Sequence, residues 1–378
     1  MKKGNIIILL FSLVTLSSYA QKKGIKVIKA TSTKVDIRDG NDFHEGTWTI
    51  MPNLAPDVYS SKVGEKTITF YTDIDSLSIN VQPDDVYDFI ILLNDKDSAW
   101  TQIKVNLPDY LLRLKNAGEY NHDDQRQIAE WGYMSEDNPD LKKLRKEFNL
   151  DSIAGNGDEM SKILNLLYWL HDRVRHDGSS YNPSPRNASH IINVCKEENR
   201  GVNCRMLATA LNECYLAMGI KSRFVTCMPK ESQFDDCHVI NAVYSKDFDK
   251  WIWIDPSFAA YVKDENGNFL SIQDVRERLV DGRPLVLNED ANWNHQSKQT
   301  KEYYLDQYMA KNLYRLECPA TSQYDTETPK INSESVYVEL LPLDGLVQTP
   351  QKNVSENGSR TWINYKTNNP DLFWAKPE

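Results

Sequence analysis

Residues 200–219 have the sequence RGVNCRMLATALNECYLAMG, which predicts a helix with a cysteine at its start. Apolar residues recur at three- and four-residue steps from Leu207 onward, as on the buried face of a helix. Asn203 is the predicted N-cap, because its side chain can accept a hydrogen bond from a first-turn N–H group, and Gly219 is a natural stop. The pattern therefore places Cys204 in the first helical turn.

The position of Cys204 changes the chemistry expected of its thiol. First-turn backbone N–H groups have no partner within the helix, and with the helix dipole they put partial positive charge near the sulfur. This favours the thiolate and lowers the thiol pKa from its free value of about 8.5. The same N–H groups can donate to an oxyanion that forms on a substrate carbonyl. A structural cysteine gains nothing from this position, so we predict that Cys204 is a nucleophile.

A nucleophilic thiol needs a base, and the base needs an acceptor that orients it. The sequence after Gly219 predicts one strand, a polar loop and then a hairpin. His238 lies on the first strand of this hairpin, and Asp255 ends the second strand just before a proline. We predict that His238 is the base and Asp255 its orienting group.

The length of the hairpin loop decides whether His238 and Asp255 share a face of the sheet. An even loop centred between Lys246 and Asp247 makes them direct partners, and moving that centre by one residue makes them diagonal partners on the same face. An odd loop would separate them. The chemistry requires an even loop, and we expect His238 and Asp255 to face the Cys204 helix. The other face would carry the apolar side chains of Val239, Val243, Ile252 and Ile254.

Each of these residues has a structural explanation when taken alone. Six cysteines in an oxidising compartment could form up to three disulfides, and an aspartate before Pro-Ser is commonly a turn former. His176 and His190 are alternative bases. Together, the order Cys204, His238 and Asp255 on a helix start and two consecutive strands favours a catalytic triad.

The same residues resemble the transglutaminase-like superfamily, a branch of the papain-like cysteine enzymes. The matching features are the Gly-Val-Asn-Cys204 helix start, the Ala-Met-Gly-Ile-Lys-Ser-Arg-Phe-Val strand after it, the Cys-His238-Val strand and the Trp-Ile-Asp255-Pro strand end. The resemblance extends from about Glu159 to Tyr261. It implies that Cys204 is the nucleophile, that His238 acts first as base and then as acid, and that Asp255 supports the imidazolium.

The resemblance also implies an α+β fold, with the cysteine helix packed on an antiparallel sheet. We divide the chain into a signal peptide at 1–20, a β-sandwich accessory domain at 21–108, a catalytic core at 109–318, and a linker with strands closing the core at 319–378. Helices are predicted at Asp109–Ala117, His122–Trp131, Asp140–Phe148 and from Glu159 to about Arg175.

The chain departs from the animal crosslinking enzymes of this superfamily. It lacks their multi-domain length and has no pattern of spaced acidic residues typical of a calcium loop. Those enzymes take a second oxyanion donor from an upstream indole, but Trp169 lies in an apolar helix, which favours core packing. We predict no cofactor and no metal site.

Charge and the N-terminus indicate where the protein acts. Lys2 and Lys3 precede an apolar run and then small residues, as in a secretory signal peptide, so we expect a periplasmic or extracellular protein without stable membrane insertion. Without these lysines, 42 Lys and Arg face 54 Asp and Glu, a formal charge of −12 (42 − 54). This charge argues against nucleic acid as a partner.

The leading functional prediction is a cysteine peptidase or amidase acting on peptides, proteins or peptidoglycan stems. In this reaction a thioester intermediate is resolved by water. A protein-glutamine transamidase, in which an amine resolves the thioester, is the second prediction. A catalytically silent protein that binds a ligand through its N-terminal β-domain is the third.

Overall fold

The structure is a computed structural model that describes residues 25–62, 66–81, 85–106, 109–117, 119–234, 236–343 and 352–377. The predicted signal peptide at residues 1–20 lies outside them. The chain divides into two compact units, Met1–Pro108 and Asp109–Glu378. Across the described part of the chain, no helix combines the length and apolar character needed to cross a membrane.

The first unit is a pair of four-stranded sheets around a shared core. Its strands are β1 Lys26–Ala30, β2 Lys34–Asp39, β3 Asp42–Thr49, β4 Asp57–Lys62, β5 Lys66–Tyr71, β6 Ser76–Val81, β7 Val86–Leu93 and β8 Asp97–Asn106. They form the sheets β1-β7-β8-β4 and β3-β2-β5-β6. Phe70 from one sheet meets Phe89 from the other, with ring centroids 5.0 Å apart. This confirms the strand-rich region predicted ahead of the core.

The second unit mixes helices and strands. Its helices are α1 Asp109–Lys115, α2 Pro139–Glu147, α3 Leu150–Ala154, α4 Glu159–Arg173, α5 Ala188–Glu197, α6 Cys204–Ala217, α7 Ile272–Asp281, α8 Lys301–Tyr303, α9 Ala310–Asn312 and α10 Pro370–Phe373, with a π-helix at Tyr304–Met309. Its strands are β9 Gly132–Tyr133, β10 Ser222–Met228, β11 His238–Ser245, β12 Lys250–Ile254, β13 Val262–Lys263, β14 Val286–Leu287, β15 Asn292–Trp293, β16 Ser297–Lys298, β17 Arg315–Pro319, β18 Thr321–Ser322, β19 Glu334–Leu340, β20 Asn353–Asn357 and β21 Arg360–Thr367.

Helix α6 is the centre of this unit. Every residue from Met206 to Ala217 is buried. On one side the Tyr215 hydroxyl donates to the carbonyl of Ile163 on α4, at 2.9 Å. On the other side the amide of Asn241 on β11 donates to the Ala208 carbonyl, also at 2.9 Å. The cysteine helix therefore packs on a sheet, as the predicted α+β fold requires.

The sheet under α6 has seven strands in the order β12-β11-β10-β17-β19-β21-β20. Strands β12, β11, β10, β17 and β19 are antiparallel neighbours, whereas β19 and β21 run parallel. The C-terminal strands thus extend the same sheet that carries His238.

The helix predicted at His122–Trp131 is wrong, because these residues are not helical. Contacts within the segment and with the C-terminal part of the chain hold them in an irregular conformation. The Asp124 carboxylate accepts from Nε of Arg126 at 2.7 Å and from the backbone N–H of Asn368 at 3.1 Å. The Trp131 indole donates to the Leu372 carbonyl at 3.0 Å. The other three predicted helices are present as α1, α2 and α4.

A buried arginine on β10 fastens the C-terminal residues to the core. The Arg223 guanidinium lies 4.1 Å from the ring centroid of Trp131 and 4.2 Å from that of Trp251. It donates to the carbonyls of Phe373 and Ala375, at 2.8 and 2.9 Å. Hydrogen bonds and cation–π contacts are stronger when they are shielded from water.

We expect Arg223→Met to lower the free energy of unfolding by about 2–4 kcal/mol, because it removes the cation–π contacts with Trp131 and Trp251 and leaves two carbonyls without their donor. Urea unfolding of the purified protein measures this change. Arg173→Met is the matched control, because Arg173 is exposed and lies over a single ring. Equal effects of the two substitutions would contradict a stabilising role for the contacts of Arg223.

Candidate active site

Cys204 is the first residue of α6, as predicted. Asn203 is the N-cap, and its side chain accepts from the backbone N–H of Met206 at 3.1 Å. The Cys204 side chain is partly buried against Phe224 and Val239 of the sheet. Its sulfur therefore lies at the positive end of a helix that is buried from Met206 to Ala217.

Gly201 allows a second segment to approach the start of α6. The Val202 N–H donates to the Arg175 carbonyl at 3.0 Å, and the Asp177 N–H donates to the Val202 carbonyl at 2.8 Å. A Cβ atom at Gly201 would lie 2.7 Å from the Cβ of Asp177 and 2.8 Å from the Arg175 carbonyl oxygen. The glycine of the Gly-Val-Asn-Cys motif is therefore needed for the close pairing that brings His176 beside Cys204.

His238 and Asp255 form a buried pair. The Nε2–H group of His238 donates to Oδ2 of Asp255 at 2.7 Å, and the two side chains are 1% and 0% exposed. The His238 ring packs against Phe258 and Tyr308, with centroids 5.6 and 5.2 Å apart. Within the described residues Nδ1 of His238 has no nitrogen or oxygen partner, which leaves it for the Cys204 thiol.

Asp255 also has two further donors. The Tyr304 hydroxyl donates to Oδ2 at 2.5 Å, and the Ser257 N–H donates to Oδ1 at 2.8 Å. Burial opposes ionisation of this carboxyl, but the charge of His238 and the surrounding donors outweigh it and lower the Asp255 pKa. Tyr304 lies on the π-helix, far along the chain, and sequence reasoning missed it.

The hairpin has an even loop, but its centre is shifted by one residue. Asn241 pairs with Ile254 and Ser245 with Lys250, so the loop is centred between Asp247 and Phe248. This is the second of the two same-face alternatives, and it makes His238 and Asp255 diagonal neighbours rather than direct partners.

The face of the hairpin that we predicted to meet the Cys204 helix is wrong. Val243 and Asn241 contact α6, so the apolar face packs on the helix, and His238 and Asp255 lie on the opposite face with Tyr304. The helix is buried from Met206 to Ala217 and needs an apolar partner, which Val243, Ile252 and Ile254 provide. His238 still interacts with the Cys204 thiol, because it is the first residue of β11.

Opposing effects set the protonation of the thiol and the imidazole. Burial raises the pKa of Cys204, but hydrogen bonds with His176 and His238 and the positive charge of His238 outweigh it and lower the pKa to about 6. Burial lowers the pKa of His238, but the charge and hydrogen bond of Asp255 outweigh it and raise the pKa to about 10. Both directions favour a thiolate beside an imidazolium.

The two alternative histidines have different surroundings. His176 hydrogen-bonds the Cys204 thiol, whereas His190 lies on α5 in a separate surface cavity with Lys143 and Lys146. Trp169 packs against Phe148 within the helical core, at 5.7 Å between centroids, in agreement with the core packing favoured from sequence.

All six cysteines have free thiols, so the disulfides considered from sequence are not formed. Burial raises the pKa of five of them, namely Cys195, Cys214, Cys227, Cys237 and Cys318. Cys204 is the one thiol whose pKa is lowered. Within the described residues no group of three or more His, Cys, Asp and Glu side chains could hold a metal ion.

A cavity of about 510 Å³ opens next to the histidines. It is lined by Asp236, Phe258, Trp293, Lys298, Tyr303 and Tyr308. Phe258 and Tyr308 also contact His238, and Trp293 also contacts His176. A molecule in this cavity would lie beside both imidazole rings.

Comparison with known proteins identifies a family for one segment of the chain. Residues 146–256 match the model of the transglutaminase-like superfamily. This segment belongs to the transglutaminase-like superfamily. Members of the superfamily are typically thiol enzymes. The transglutaminase-like segment contains Cys204, His238, Asp255 and also His176, whereas Tyr304 and the other contacts from the C-terminal part of the chain lie outside it.

Among solved structures, a protein from Cytophaga hutchinsonii, provisionally described as a cysteine protease, is 21% identical with a TM-score of 0.24. The alignment covers 40% of this chain and 43% of that one. The transglutaminase of red sea bream is 13% identical with a TM-score of 0.23, over 50% of this chain and 37% of its own. The chain thus spans less than half of either structure. No curated protein matches it.

Proposed function

We propose that the protein is a thiol-dependent amide hydrolase, a cysteine peptidase or amidase, with Cys204 as nucleophile, His238 as base and acid, and Asp255 as the orienting group. The observation that carries this proposal is the lowered pKa of Cys204 next to the buried His238–Asp255 pair. Perturbed titratable groups around a cavity are typical of catalytic sites. The proposed place of action, outside the cytoplasm, rests on the leader-like sequence at residues 1–20.

In the proposed reaction the Cys204 thiolate attacks the carbonyl carbon of an amide, and the electrons of the C=O bond move to its oxygen. The C–N bond then breaks, and His238 gives its Nδ1 proton to the leaving nitrogen. Water attacks the resulting thioester while His238 takes a proton from it, and the S–C bond breaks. The products are an amine, a carboxylic acid and the regenerated thiolate.

The test is to incubate the chain that follows residue 20 with casein and with peptides from bacterial cell walls. We expect release of amines by the wild-type protein and none by Cys204→Ala. A labelled alkyl amine added to the casein reaction detects transamidation. Its incorporation without hydrolysis would identify the protein as a crosslinking transamidase instead of a hydrolase. If Cys204→Ala matches the wild type in every reaction, the proposal of a thiol enzyme is wrong.

The pH dependence of kcat/KM follows from the two pKa shifts. The nucleophile must be deprotonated, so activity should rise with pH through about 6, where Cys204 ionises. The leaving nitrogen needs a proton from His238, so activity should fall as pH rises through about 10. Initial rates of casein cleavage across this range measure both limbs. A rate that begins to rise only near about 8.5, the value of a free thiol, would contradict the ion pair.

A further inference from the structure

We propose that His176 is a catalytic residue that donates a hydrogen bond from Nε2–H to the oxyanion, and that Trp293 holds the proton on that nitrogen. This inference rests on the proposed function, because it assigns a further role in the same acyl transfer. It also gives a different role to a histidine that sequence reasoning had considered as a base.

Backbone pairing fixes the position of His176. His176 forms a parallel β-bridge with Val202, which lies two residues before Cys204. The side chains of His176 and Cys204 are within hydrogen-bonding reach of each other. His176 and His238 therefore approach one sulfur from separate segments, one at the end of α4 and one at the start of β11.

The indole of Trp293 determines which nitrogen of His176 carries the proton. Nε1 of Trp293 lies 3.0 Å from Nδ1 of His176. An indole N–H can only donate, so Nδ1 accepts and the proton of the neutral ring lies on Nε2. Since Nδ1 is occupied by the indole, Nε2 is the nitrogen that remains for Cys204 and for a substrate oxygen.

Trp293 is itself fixed by the residues on either side of it. Asn294 binds the backbone of His176 twice, accepting from its N–H at 2.8 Å and donating to its carbonyl at 2.9 Å. The N–H of Asn292 donates to the Phe258 carbonyl at 2.8 Å. The indole and the imidazole thus belong to one connected unit, and the donor is oriented before substrate arrives.

The partners of the two histidines assign them different chemistry. His238 hydrogen-bonds a carboxylate, which stabilises an imidazolium and suits a group that accepts and returns a proton. Nδ1 of His176 accepts from an indole, so among the described residues no carboxylate occupies the position at His176 that Asp255 occupies at His238. A neutral imidazole with a fixed N–H group is instead suited to stabilise negative charge that develops on oxygen.

A tetrahedral intermediate is usually held by two donors. The backbone N–H of Cys204, in the first turn of α6, has no partner within its helix and is available as one of them. Nε2–H of His176 would be the second. His176 thus takes the place of the second donor that we considered for Trp169, which packs against Phe148 instead.

The experiment compares two reactions of the same thiol. Iodoacetamide alkylates the thiolate by displacing iodide and forms no oxyanion, whereas p-nitrophenyl acetate acylates it through one. Both rates are measured for the wild type, His176→Phe, His176→Gln and Trp293→Phe, at pH values where each alkylation profile has reached its plateau. On the plateau the thiol is ionised in each variant, so a change in its pKa cannot account for a difference.

For His176→Phe we expect the acylation burst to slow by about 10²–10³-fold, the usual effect of removing one oxyanion donor, while alkylation changes less than about threefold. His176→Gln, which keeps an N–H donor, should be acylated at least about tenfold faster than His176→Phe. The acylation rate of Trp293→Phe should lie between those of His176→Phe and the wild type. Without the indole, the proton of the His176 ring is free to move to Nδ1.

Two results would overturn this role. One is unchanged acylation in both His176 variants, and the other is an equal loss of acylation and alkylation, which indicates a structural effect. His176→Gln keeps the test valid if the Phe variant does not fold. If the wild-type protein reacts with neither reagent at Cys204, the proposed function fails, and that outcome is distinct from failure of His176 alone.

Discussion

His238→Ala should reduce alkylation of Cys204 by iodoacetamide at pH 7 by up to about 30-fold, the ratio of the two thiolate fractions. With a pKa of about 6 the thiol is largely ionised at this pH, whereas a free thiol of pKa about 8.5 is only about 3% ionised. Amide hydrolysis should fall by a further factor of about 10²–10⁴, because the acid that protonates the leaving nitrogen is also lost. Time courses of alkylation and of casein cleavage measure the two losses separately.

His190→Ala is the matched control for this substitution. His190 belongs to the same unit, but it is only partly buried and lies on α5 in a different cavity. Both rates should remain within about twofold of the wild type. If His238→Ala leaves the alkylation rate unchanged, His238 does not set the ionisation of the thiol, and the base must be sought elsewhere.

Asp255→Asn should lower kcat/KM by about 10²–10⁴-fold, the upper figure being the loss seen for the equivalent change in a serine protease. The Ser257 N–H still needs an acceptor, so the Asn carbonyl should take the place of Oδ1 and its NH₂ the place of Oδ2. A donor would then face Nε2 of His238 and Tyr304, and the imidazole would be forced into the wrong tautomer.

The pH profile distinguishes this effect from a loss of folding. Asp255 raises the pKa of His238, so Asp255→Asn should move the upper limb of the profile to lower pH. Tyr304→Phe removes one donor and keeps the carboxylate. It should therefore lower kcat/KM by no more than about tenfold and shift the upper limb much less than Asp255→Asn does. An upper limb that stays near 10 in Asp255→Asn would contradict the role of this carboxylate.

The local parts of the site could be predicted from sequence because each depends on a few neighbouring residues. Asn203 and Gly219 bound the cysteine helix in the sequence as they do in the structure, and hairpin parity put His238 and Asp255 on one face. The choice of face failed for a physical reason. The prediction placed the helix on the face of the hairpin that carries His238 and Asp255. The apolar surface of α6 instead packs on the face that carries Val243, Ile252 and Ile254.

The missing parts of the site depend on contacts between distant segments. Tyr304 follows Asp255 by 49 residues, and Trp293 follows His176 by 117. Neither pair has a spacing that a local pattern could detect. One signal was available in the motif itself, since Gly201 lies where a Cβ atom would collide with Arg175 and Asp177, the residues on either side of His176. The helix predicted at His122–Trp131 is wrong for the same reason, because partners of this segment come from the C-terminal part of the chain.

Site-resolved alkylation tests the central claim, a thiolate at Cys204, most directly. The protein is treated with iodoacetamide at a pH of about 6.5, without reductant, and the modified peptides are identified by mass. Cys237 is the internal control, because it is also partly exposed but burial raises its pKa to about 11. We predict that Cys204 reacts at least about 100-fold faster, even though a thiolate of higher pKa is intrinsically more nucleophilic. A disulfide at Cys204, or equal rates at the two cysteines, would contradict the account.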